Sequence, residues 1–377
     1  MISPPLDSNL PLLIVFVLFA VSSLVQVAFY WILFSRLAWF REMGKESDRR
    51  GVSVVICARN EYYQLKENLP LILDQDYPEF EVVVVNNSSD DDSAFFLNRI
   101  AETNPRLKVV EIKENLNFFS GKKFPLSIGI KSAKYDLILL TDADCRPSGR
   151  NWIALMEASF MPGTEIVLGY GAHESQKGIL NRLIRFDTIQ IGIQYFSYAL
   201  AGIPYMGVGR NMAYLKHVFY GQKGFTSHYR IPSGDDDLFI NRVARGSNTR
   251  ICIAPGSFTS SEAKKTLTQW AFQKRRHLST GRYYRFIHKF LLGSYIGSQV
   301  LFYCLSVVLL IFLYNIVLVF AIFAVRLASQ LIIFRKCMTR LQDRELWYLA
   351  PVLEPAILVI NSYLSVTNYF VRPNRWK

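Results

Sequence analysis

The chain has 377 residues, 51% of them hydrophobic, with a positive mean hydropathy and a formal net charge of +13. This length accommodates one catalytic domain of ordinary size plus membrane segments, so a purely soluble single domain is disfavoured. The lysines and arginines cluster beside apolar segments, where the positive-inside rule and anionic lipids account for them without a nucleic-acid partner. Five widely spaced cysteines include no CxxC pair and indicate neither a disulfide framework nor a zinc site.

The first predicted element is a transmembrane helix. Residues 11–34 carry no charge, and at about 1.5 Å per residue a helix of that length crosses a bilayer core. Basic residues follow this run instead of preceding it, unlike those of a cleaved signal peptide. We therefore expect an anchor at 1–35 with its amino terminus outside, a basic cytosolic linker at 36–50, and a location in a bacterial inner membrane. The basic residues are Arg36, Arg41, Lys45, Arg49 and Arg50.

The segment 51–289 is predicted to form a cytosolic α/β domain. Runs rich in β-branched residues at 52–57, 82–85, 107–112 and 137–140 are typical of buried strands. Apolar residues at helical spacing separate them, between 65 and 73 and again at 124–132. This alternation predicts a mostly parallel sheet with helices on both faces.

A membrane region is predicted at 290–377. It begins with a helical hairpin at 296–334, continues with a basic interfacial stretch at 335–346, and ends with an apolar segment at 347–370 that Glu354-Pro355 interrupts. If that last segment crosses the membrane, the basic residues Arg372, Arg375 and Lys377 lie outside, against the charge rule. If it is re-entrant or interfacial, they stay inside, which we favour. Arg326, within the hairpin, should face protein, a lipid phosphate or a water-filled cleft.

Two acidic groups are the strongest chemical signal. Asp142 and Asp144 end an apolar strand, where open α/β sheets bind ligands, and two such carboxylates can hold Mg²⁺ or Mn²⁺ with a diphosphate. Alone, a DxD triplet is more often a solvated turn. Asp235, Asp236 and Asp237 stand where a helix is predicted to begin, so at least one should cap that helix. Adjacent carboxylates raise one another's pKa, and we expect one of them to be a general base.

Polar residues after the predicted strands are candidates for substrate contacts. Asn60 and Glu61 follow the first strand and Asn87 follows the second, although such residues also serve ordinary turns. Lys122 is a candidate phosphate contact without a P-loop, and no dinucleotide fingerprint is present. The basic cluster from Gln273 to His277 either anchors lipid headgroups or steadies a departing diphosphate.

In this order, the segments resemble the family-2 inverting glycosyltransferases of GT-A fold over roughly residues 52–280. The resemblance rests on Asn60-Glu61, Asp142-Ala143-Asp144, Gln273 to Arg276 and, approximately, Asp235-Asp236. The layout is also similar to ceramide glucosyltransferases and polysaccharide synthases. The resemblance implies that Asp144, with Asp142, holds the metal, that Asp142 contacts the nucleotide sugar, and that Asp235 or Asp236 is the base. It also implies substrate contacts from Gln273, Arg276 and a glycine-rich segment that includes Gly207, Gly209, Arg210 and Asn211.

Two departures from the family pattern affect the expected substrate. Asn86 and Asn87 replace acidic residues that often read the nucleobase and ribose, so the donor is left as a UDP- or GDP-sugar. His277 replaces a tryptophan that stacks on the growing glycan of processive synthases, which argues against polymer synthesis. The resemblance therefore implies metal-dependent transfer of one sugar to a lipid-linked or glycolipid acceptor. The alternatives are a processive polysaccharide synthase and a non-catalytic membrane scaffold for a partner glycosyltransferase.

Overall fold

The computed structural model describes residues 6–42, 48–113, 121–231, 233–368 and 370, which divide into two compact units. Within those limits, the helical unit comprises Met1–Phe40 and Arg285–Tyr363, and the α/β unit comprises Arg41–Tyr284 and Leu364–Lys377. Four of the basic residues singled out in the sequence lie outside the described residues: Lys45, Arg372, Arg375 and Lys377.

Ten strands form two sheets in the α/β unit. The larger sheet has the order β3-β2-β1-β4-β8-β6-β9, and the smaller has the order β5-β10-β7. In the larger sheet β3, β2, β1 and β4 are parallel, β8 runs antiparallel to both of its neighbours, and β6 is parallel to β9. The strands are β1 (Val52–Ala58), β2 (Phe80–Asn87), β3 (Leu107–Ile112), β4 (Leu137–Asp142), β5 (Cys145–Pro147), β6 (Ile166–Leu168), β7 (Gly171–His173), β8 (Met212–Leu215), β9 (Thr249–Ile251) and β10 (Thr259–Ser261).

The helices of the described residues fall in both units. A π-helical turn, Phe29–Phe34, joins the first two helices, and short 3₁₀ segments lie at Thr226–His228, Gly281–Tyr283 and Arg344–Leu349. The α-helices are α1 (Leu6–Ala28), α2 (Ser35–Ala38), α3 (Tyr62–Leu73), α4 (Ser93–Thr103), α5 (Lys123–Ser132), α6 (Trp152–Ala158), α7 (Ile179–Leu200), α8 (Lys216–Gly221), α9 (Asp237–Val243), α10 (Leu267–Leu278), α11 (Phe286–Ile311), α12 (Ile316–Arg340) and α13 (Ala350–Thr367).

The sheet is covered on both faces, as the alternation of strands and helices predicts. All seven residues of β1 are buried. On one face Val54 belongs to a core cluster with Leu65 and Leu69 of α3. On the other face α5 approaches closely at Gly129, where an added Cβ would lie 2.6 Å from Cγ1 of Val55. The predicted α/β fold with a mostly parallel sheet is therefore confirmed, and the carboxyl ends of β1, β2 and β4 meet at one edge.

Four helical segments of the described chain are long and apolar enough to cross a membrane: Leu10–Ala38, Phe286–Ile311, Ile316–Arg340 and Arg344–Thr367. The hairpin helices are longer than the sequence pattern predicts. The first begins at Phe286 instead of 296, and the second continues to Arg340, through the start of the predicted interfacial stretch. The last segment, α13, is one continuous helix that includes both Glu354 and Pro355.

Arg326 is buried in the helical unit and faces protein, one of the three environments expected for it. Its side chain is 1% exposed and pairs with the carboxylate of Glu354 on α13. Its Nε donates to Oε1 of Gln26 on α1 at 2.8 Å, and its Nη1 donates to Oε1 of Gln330 at 2.6 Å. The guanidinium also lies 5.3 Å from the ring centroid of Phe302 on α11. One cation therefore contacts four helices.

Glu354 is satisfied by further donors in addition to Arg326. Its Oε1 accepts hydrogen bonds from Nε2 of Gln299 at 2.8 Å and from the hydroxyl of Tyr30 at 3.2 Å. Its Oε2 accepts one from the hydroxyl of Tyr303 at 2.9 Å. A charge buried among apolar helices is tolerated only when it is paired and hydrogen-bonded, and both members of this pair meet that condition.

We predict that Arg326→Met lowers the free energy of unfolding by roughly 3–5 kcal/mol, because it leaves the Glu354 carboxylate buried without its cation. The double variant Arg326→Met/Glu354→Gln should lose less than the sum of its two single variants. Melting of the detergent-purified protein measures both effects. The control is Arg335→Met, an exposed arginine on the same helix that stacks on Trp347. Additive losses in the double variant would show that the pair carries no coupling.

Candidate functional site

The loops that follow β1 and β2 are joined to each other by hydrogen bonds. The backbone N–H of Asn60 donates to Oγ of Ser89 at 3.0 Å, and the N–H of Asp90 donates to Oδ1 of Asn60 at 2.7 Å. Asn60 adopts a left-handed backbone with φ of 55°, which asparagine tolerates better than most residues. The N–H of Tyr62 donates to Oδ2 of Asp91 at 3.0 Å. Asn60, a predicted substrate contact, thus holds together the loops at the carboxyl ends of β1 and β2 through its own side chain.

The two asparagines at the end of β2 differ in their surroundings. Asn86 is buried, donates to Oε2 of Glu111 at 2.9 Å and accepts from Oγ of Ser89 at 2.5 Å, so its amide is engaged within the protein. Asn87 is half-buried at the last position of the strand, and Glu61 is half-buried immediately before α3. Asn87 and Glu61 are therefore the better placed of these residues to contact a ligand.

The acidic triplet lies at the carboxyl end of β4, beside β1. Asp142 pairs in register with Cys57 of β1. Ligand atoms of Asp142, Asp144 and Cys145 lie within 4.8 Å of one another. Hard carboxylate oxygens are the donors that Mg²⁺ and Mn²⁺ prefer, so the two aspartates fit the predicted metal. The buried Cys145 thiol is the third member of this group.

Cations surround Asp142 and set the ionisation of the pair. The Lys122 ammonium contacts the Asp142 carboxylate directly. Burial raises the pKa of Asp142, but Lys122 and then Arg210 and Arg276 outweigh it and hold that pKa below its usual range. Burial and the neighbouring Asp142 carboxylate raise the pKa of Asp144 above its usual range. Asp142 therefore stays ionised, and a bound cation would favour ionisation of Asp144 as well.

Asp236 and Asp237 are held by the protein itself. Oδ2 of Asp236 accepts from the N–H of Gly209 at 2.9 Å, and its Oδ1 accepts from the N–H of Asp237 at 2.8 Å at the start of α9. Asp237 is buried, where its carboxylate accepts from the hydroxyl of Tyr284 at 2.7 Å and from the hydroxyl of Thr280. Both side chains thus build the loop, and Asp236 is the predicted helix cap.

Asp235 differs from its two neighbours because its carboxylate accepts no hydrogen bond from another of the described residues. It is half-buried and interacts electrostatically with Lys122 and Asp142. Burial, followed by the Asp236 carboxylate, raises the pKa of Asp235 above its usual range. A carboxylate that is not held by other residues and has a raised pKa has the properties of a general base.

Two residues predicted to bind substrate have structural roles instead. The side chain of Asn211 is fully buried; it accepts from Nε1 of Trp152 at 3.0 Å and donates to the carbonyls of Tyr170 at 2.9 Å and Ser257 at 2.8 Å. Those bonds leave its amide no donor for a ligand. Gly207 is buried, and an added Cβ would lie 3.0 Å from Cδ2 of Leu168. The Asn211 side chain is therefore engaged within the core, and Gly207, which has no side chain, is packed closely against that core.

Arg210, between those residues, is the side chain of that segment that reaches the acidic site. Its carbonyl accepts from the hydroxyls of Thr141 and Thr259, each at 3.0 Å. Its guanidinium donates to Oγ of Ser261 at 3.1 Å and lowers the pKa of both Asp142 and Asp144. No sequence pattern distinguishes Arg210 from the other residues of its glycine-rich segment, because its approach to the acidic site depends on the neighbouring strands.

Helix α10 carries the predicted diphosphate contacts. Lys274 on this helix forms a buried ion pair with Asp187 of α7, with Nζ to oxygen distances of 2.6 and 2.7 Å. Arg276 and Gln273 are half-buried, and Arg276 is close enough to lower the pKa of Asp142. The Nε of Arg276 is buried and has no hydrogen-bond partner among the described residues. An unpaired buried guanidinium N–H beside an acidic metal site fits a phosphate oxygen.

Part of the chain is similar in sequence to a known protein family and to a known protein. Residues 53–219 match the family described as Glycosyl transferase family 2. An uncharacterised glycosyltransferase of Haemophilus influenzae is 31% identical over 200 residues, which are 52% of this chain and 60% of that protein. The chain thus aligns with less than two thirds of that relative's length. Residues 53–219, which match the family, contain the acidic pair Asp142 and Asp144.

Solved structures with the same fold include the mannosyltransferase PcManGT from Pyrobaculum calidifontis in complex with GDP-Man and Mn²⁺. The TM-score is 0.60 at 18% identity, and the match covers 94% of this chain and 98% of that one. TarS residues 1–349 from S. aureus, in complex with UDP-GlcNAc, match at a TM-score of 0.43 and 14% identity, over 85% of this chain and 92% of that one. The first match shows the GT-A-like fold.

Asp237 predicts a pH-dependent stability. Burial and then Asp236 raise its pKa from 3.8 to about 7, so the native state binds this proton more tightly than the unfolded chain. The resulting stabilisation is full below about pH 4 and is lost as the pH rises through 7. Asp237→Asn cannot ionise, so its melting temperature relative to the native protein should rise by several degrees between pH 5.5 and 8.5. The exposed Asp76→Asn is the control, and a difference that does not vary with pH would contradict the assignment.

Proposed function

We propose that this chain, whose residues 53–219 form a family 2 glycosyl transferase domain, moves one sugar from a nucleoside diphosphate to a hydroxyl of a lipid-linked acceptor. The observation that carries the proposal is the contrast among the three consecutive aspartates. The Asp236 and Asp237 carboxylates accept hydrogen bonds from other residues, whereas the Asp235 carboxylate accepts none from another of the described residues and interacts electrostatically with Asp142. A base thus stands beside a donor site.

The donor would be a UDP- or GDP-sugar held at the carboxyl edge of the sheet. Asp142 and Asp144 would hold Mg²⁺ or Mn²⁺, which when bound would neutralise charge on the leaving diphosphate. Lys122, Arg210 and Arg276 supply further positive charge at the same place. Glu61, Asn87 and Gln273 are the remaining candidates for contacts with the nucleotide sugar.

The chemistry we propose is a single displacement with inversion of the anomeric centre. Asp235 accepts the proton of the acceptor hydroxyl as the oxygen attacks, and the bond from the sugar to the diphosphate breaks. A double displacement would need a second free carboxylate as nucleophile. Asp236 has both oxygens engaged by backbone N–H groups, and Asp237 is buried in its own hydrogen bonds, which supports the single step.

A lipid-linked acceptor is supported by the helical unit. Four helical segments are long and apolar enough to cross a membrane, and only residues 279–285 separate α10 from α11 along the chain. Basic residues after the first apolar helix, including Arg36, Arg41 and Arg50, favour a cytosolic α/β unit at a bacterial inner membrane. A polyprenyl-linked sugar, a ceramide and a diacylglycerol are the acceptor classes that fit.

We expect Asp235→Asn to lower the transfer rate by roughly 10²–10⁴-fold, because the proton loses its acceptor, while Mn²⁺-dependent donor binding is retained. Asp144→Asn should instead abolish Mn²⁺-dependent donor binding. Asp236→Ala should mainly lower stability, by about 1 kcal/mol for a lost helix cap. Calorimetric titration with UDP- and GDP-sugars, together with product formation on a membrane lipid extract, separates these effects.

The matched control for those variants is the exposed Asp76→Asn, which lies away from the acidic loop in the chain and should behave as the native protein. Full transfer activity in Asp235→Asn would remove this residue as the base. Failure of the native protein to bind any nucleotide sugar in the presence of Mn²⁺ would instead support the scaffold alternative.

A further inference from the structure

Two adjacent lysines at the start of α5 have different partners. Lys122 contacts the Asp142 carboxylate on β4. Lys123 is 4% exposed, and its Nζ donates to three backbone carbonyls, those of His228 at 2.9 Å, Ile231 at 2.5 Å and Ser233 at 2.7 Å. An ammonium group has three N–H donors, so these carbonyls use all of them.

The three carbonyls belong to the segment that leads into the base. Ser233 is followed by Gly234, which has φ of 97°, and then by Asp235. The carbonyl of His228 also accepts from the N–H of Ile231 at 3.1 Å, whereas the carbonyls of Ile231 and Ser233 lie outside any helix or strand. Buried carbonyls without donors cost free energy. Lys123 supplies those donors from one point. The last of the three aspartates, Asp237, is held separately by hydrogen bonds from the hydroxyls of Tyr284 and Thr280.

We propose that Lys123 is a positioning residue that fixes residues 228–231 and 233–235, and with them Asp235, relative to the donor site. The inference rests on the proposed function. Because Lys122 and Lys123 share one peptide bond, the residue that pairs with Asp142 and the residue that holds the base loop move together. The start of α5 therefore sets the distance between the donor diphosphate and the base that activates the acceptor.

The experiment compares Lys123→Met with Lys123→Arg and the native protein. Hydrogen exchange of the amides at 226–231 and 233–238 should be about tenfold faster in Lys123→Met, because the carbonyls lose their shared donor. It should be intermediate in Lys123→Arg, which keeps the charge but has a planar donor group. The control is Lys131→Met, an exposed lysine on the same helix, which should exchange as the native protein does.

Kinetics distinguish positioning from a general loss of structure. The kcat of transfer in Lys123→Met should fall roughly 10²-fold, as expected when a reacting group is displaced by about 1 Å. The KM for the nucleotide sugar and the affinity for Mn²⁺ should stay within about twofold of native, because the contacts of Lys122 and Asp142 are retained. Lys123→Arg should recover part of the lost kcat.

The exchange and kinetic results together decide whether Lys123 is a positioning residue. Unchanged exchange in both variants would overturn it, as would a loss of donor affinity that equals the loss of kcat. If Lys123→Met does not fold, the comparison of Lys123→Arg with the native protein decides, and identical exchange and kcat in these two overturn it. The exchange measurement needs no substrate. A native protein without transfer activity would therefore refute the proposed function while the exchange result still tests the role of Lys123.

Discussion

The contact between the Lys122 ammonium and the Asp142 carboxylate is the interaction on which the site depends. Several carboxylates converge at one edge of the sheet, and like charges about 4 Å apart repel by about 4 kcal/mol at the effective dielectric of a protein surface. Lys122 interacts with both Asp142 and Asp235, and these two carboxylates raise its pKa although burial lowers it. The same cation thus stabilises the end of β4 and the loop that carries Asp235.

This charge balance divides the acidic residues by role. Asp142 and Asp144 are the proposed ligands of a divalent cation, and Asp236 and Asp237 hold the loop through backbone and hydroxyl groups. Asp235 accepts no hydrogen bond from another of the described residues. The division leaves Asp235 available beside the proposed diphosphate site, and one such carboxylate is the minimum that a single displacement requires. The helical unit has its own buried pair, Arg326 and Glu354, and Arg326 also donates to Gln26 of α1, which is distant in sequence.

The elements that the sequence predicts well are those with local signals. The buried strands before Asn60 and Asp142 appear as apolar runs, and their polar ends identify the binding edge. The sequence does not predict which of the three aspartates is available as a base. That depends on the N–H of Gly209, which is distant in sequence and engages Asp236. The burial of Asn211 depends likewise on Trp152. Lys123 was missed because a second lysine beside Lys122 has no pattern that reveals three carbonyl partners.

The mechanism proposed for Asp235 is a single displacement, and the anomeric configuration of the product tests that mechanism. The purified protein would be incubated with Mn²⁺, an α-linked nucleoside diphosphate sugar labelled with ¹³C, and a membrane lipid extract. Mass spectrometry identifies the lipid product, and NMR of the labelled carbon gives its configuration. Inversion by Asp235 predicts a product with one added sugar in a β linkage. The native protein should form this product and Asp235→Asn should not. An α-linked product, or a β-linked product that Asp235→Asn forms at the native rate, would contradict it.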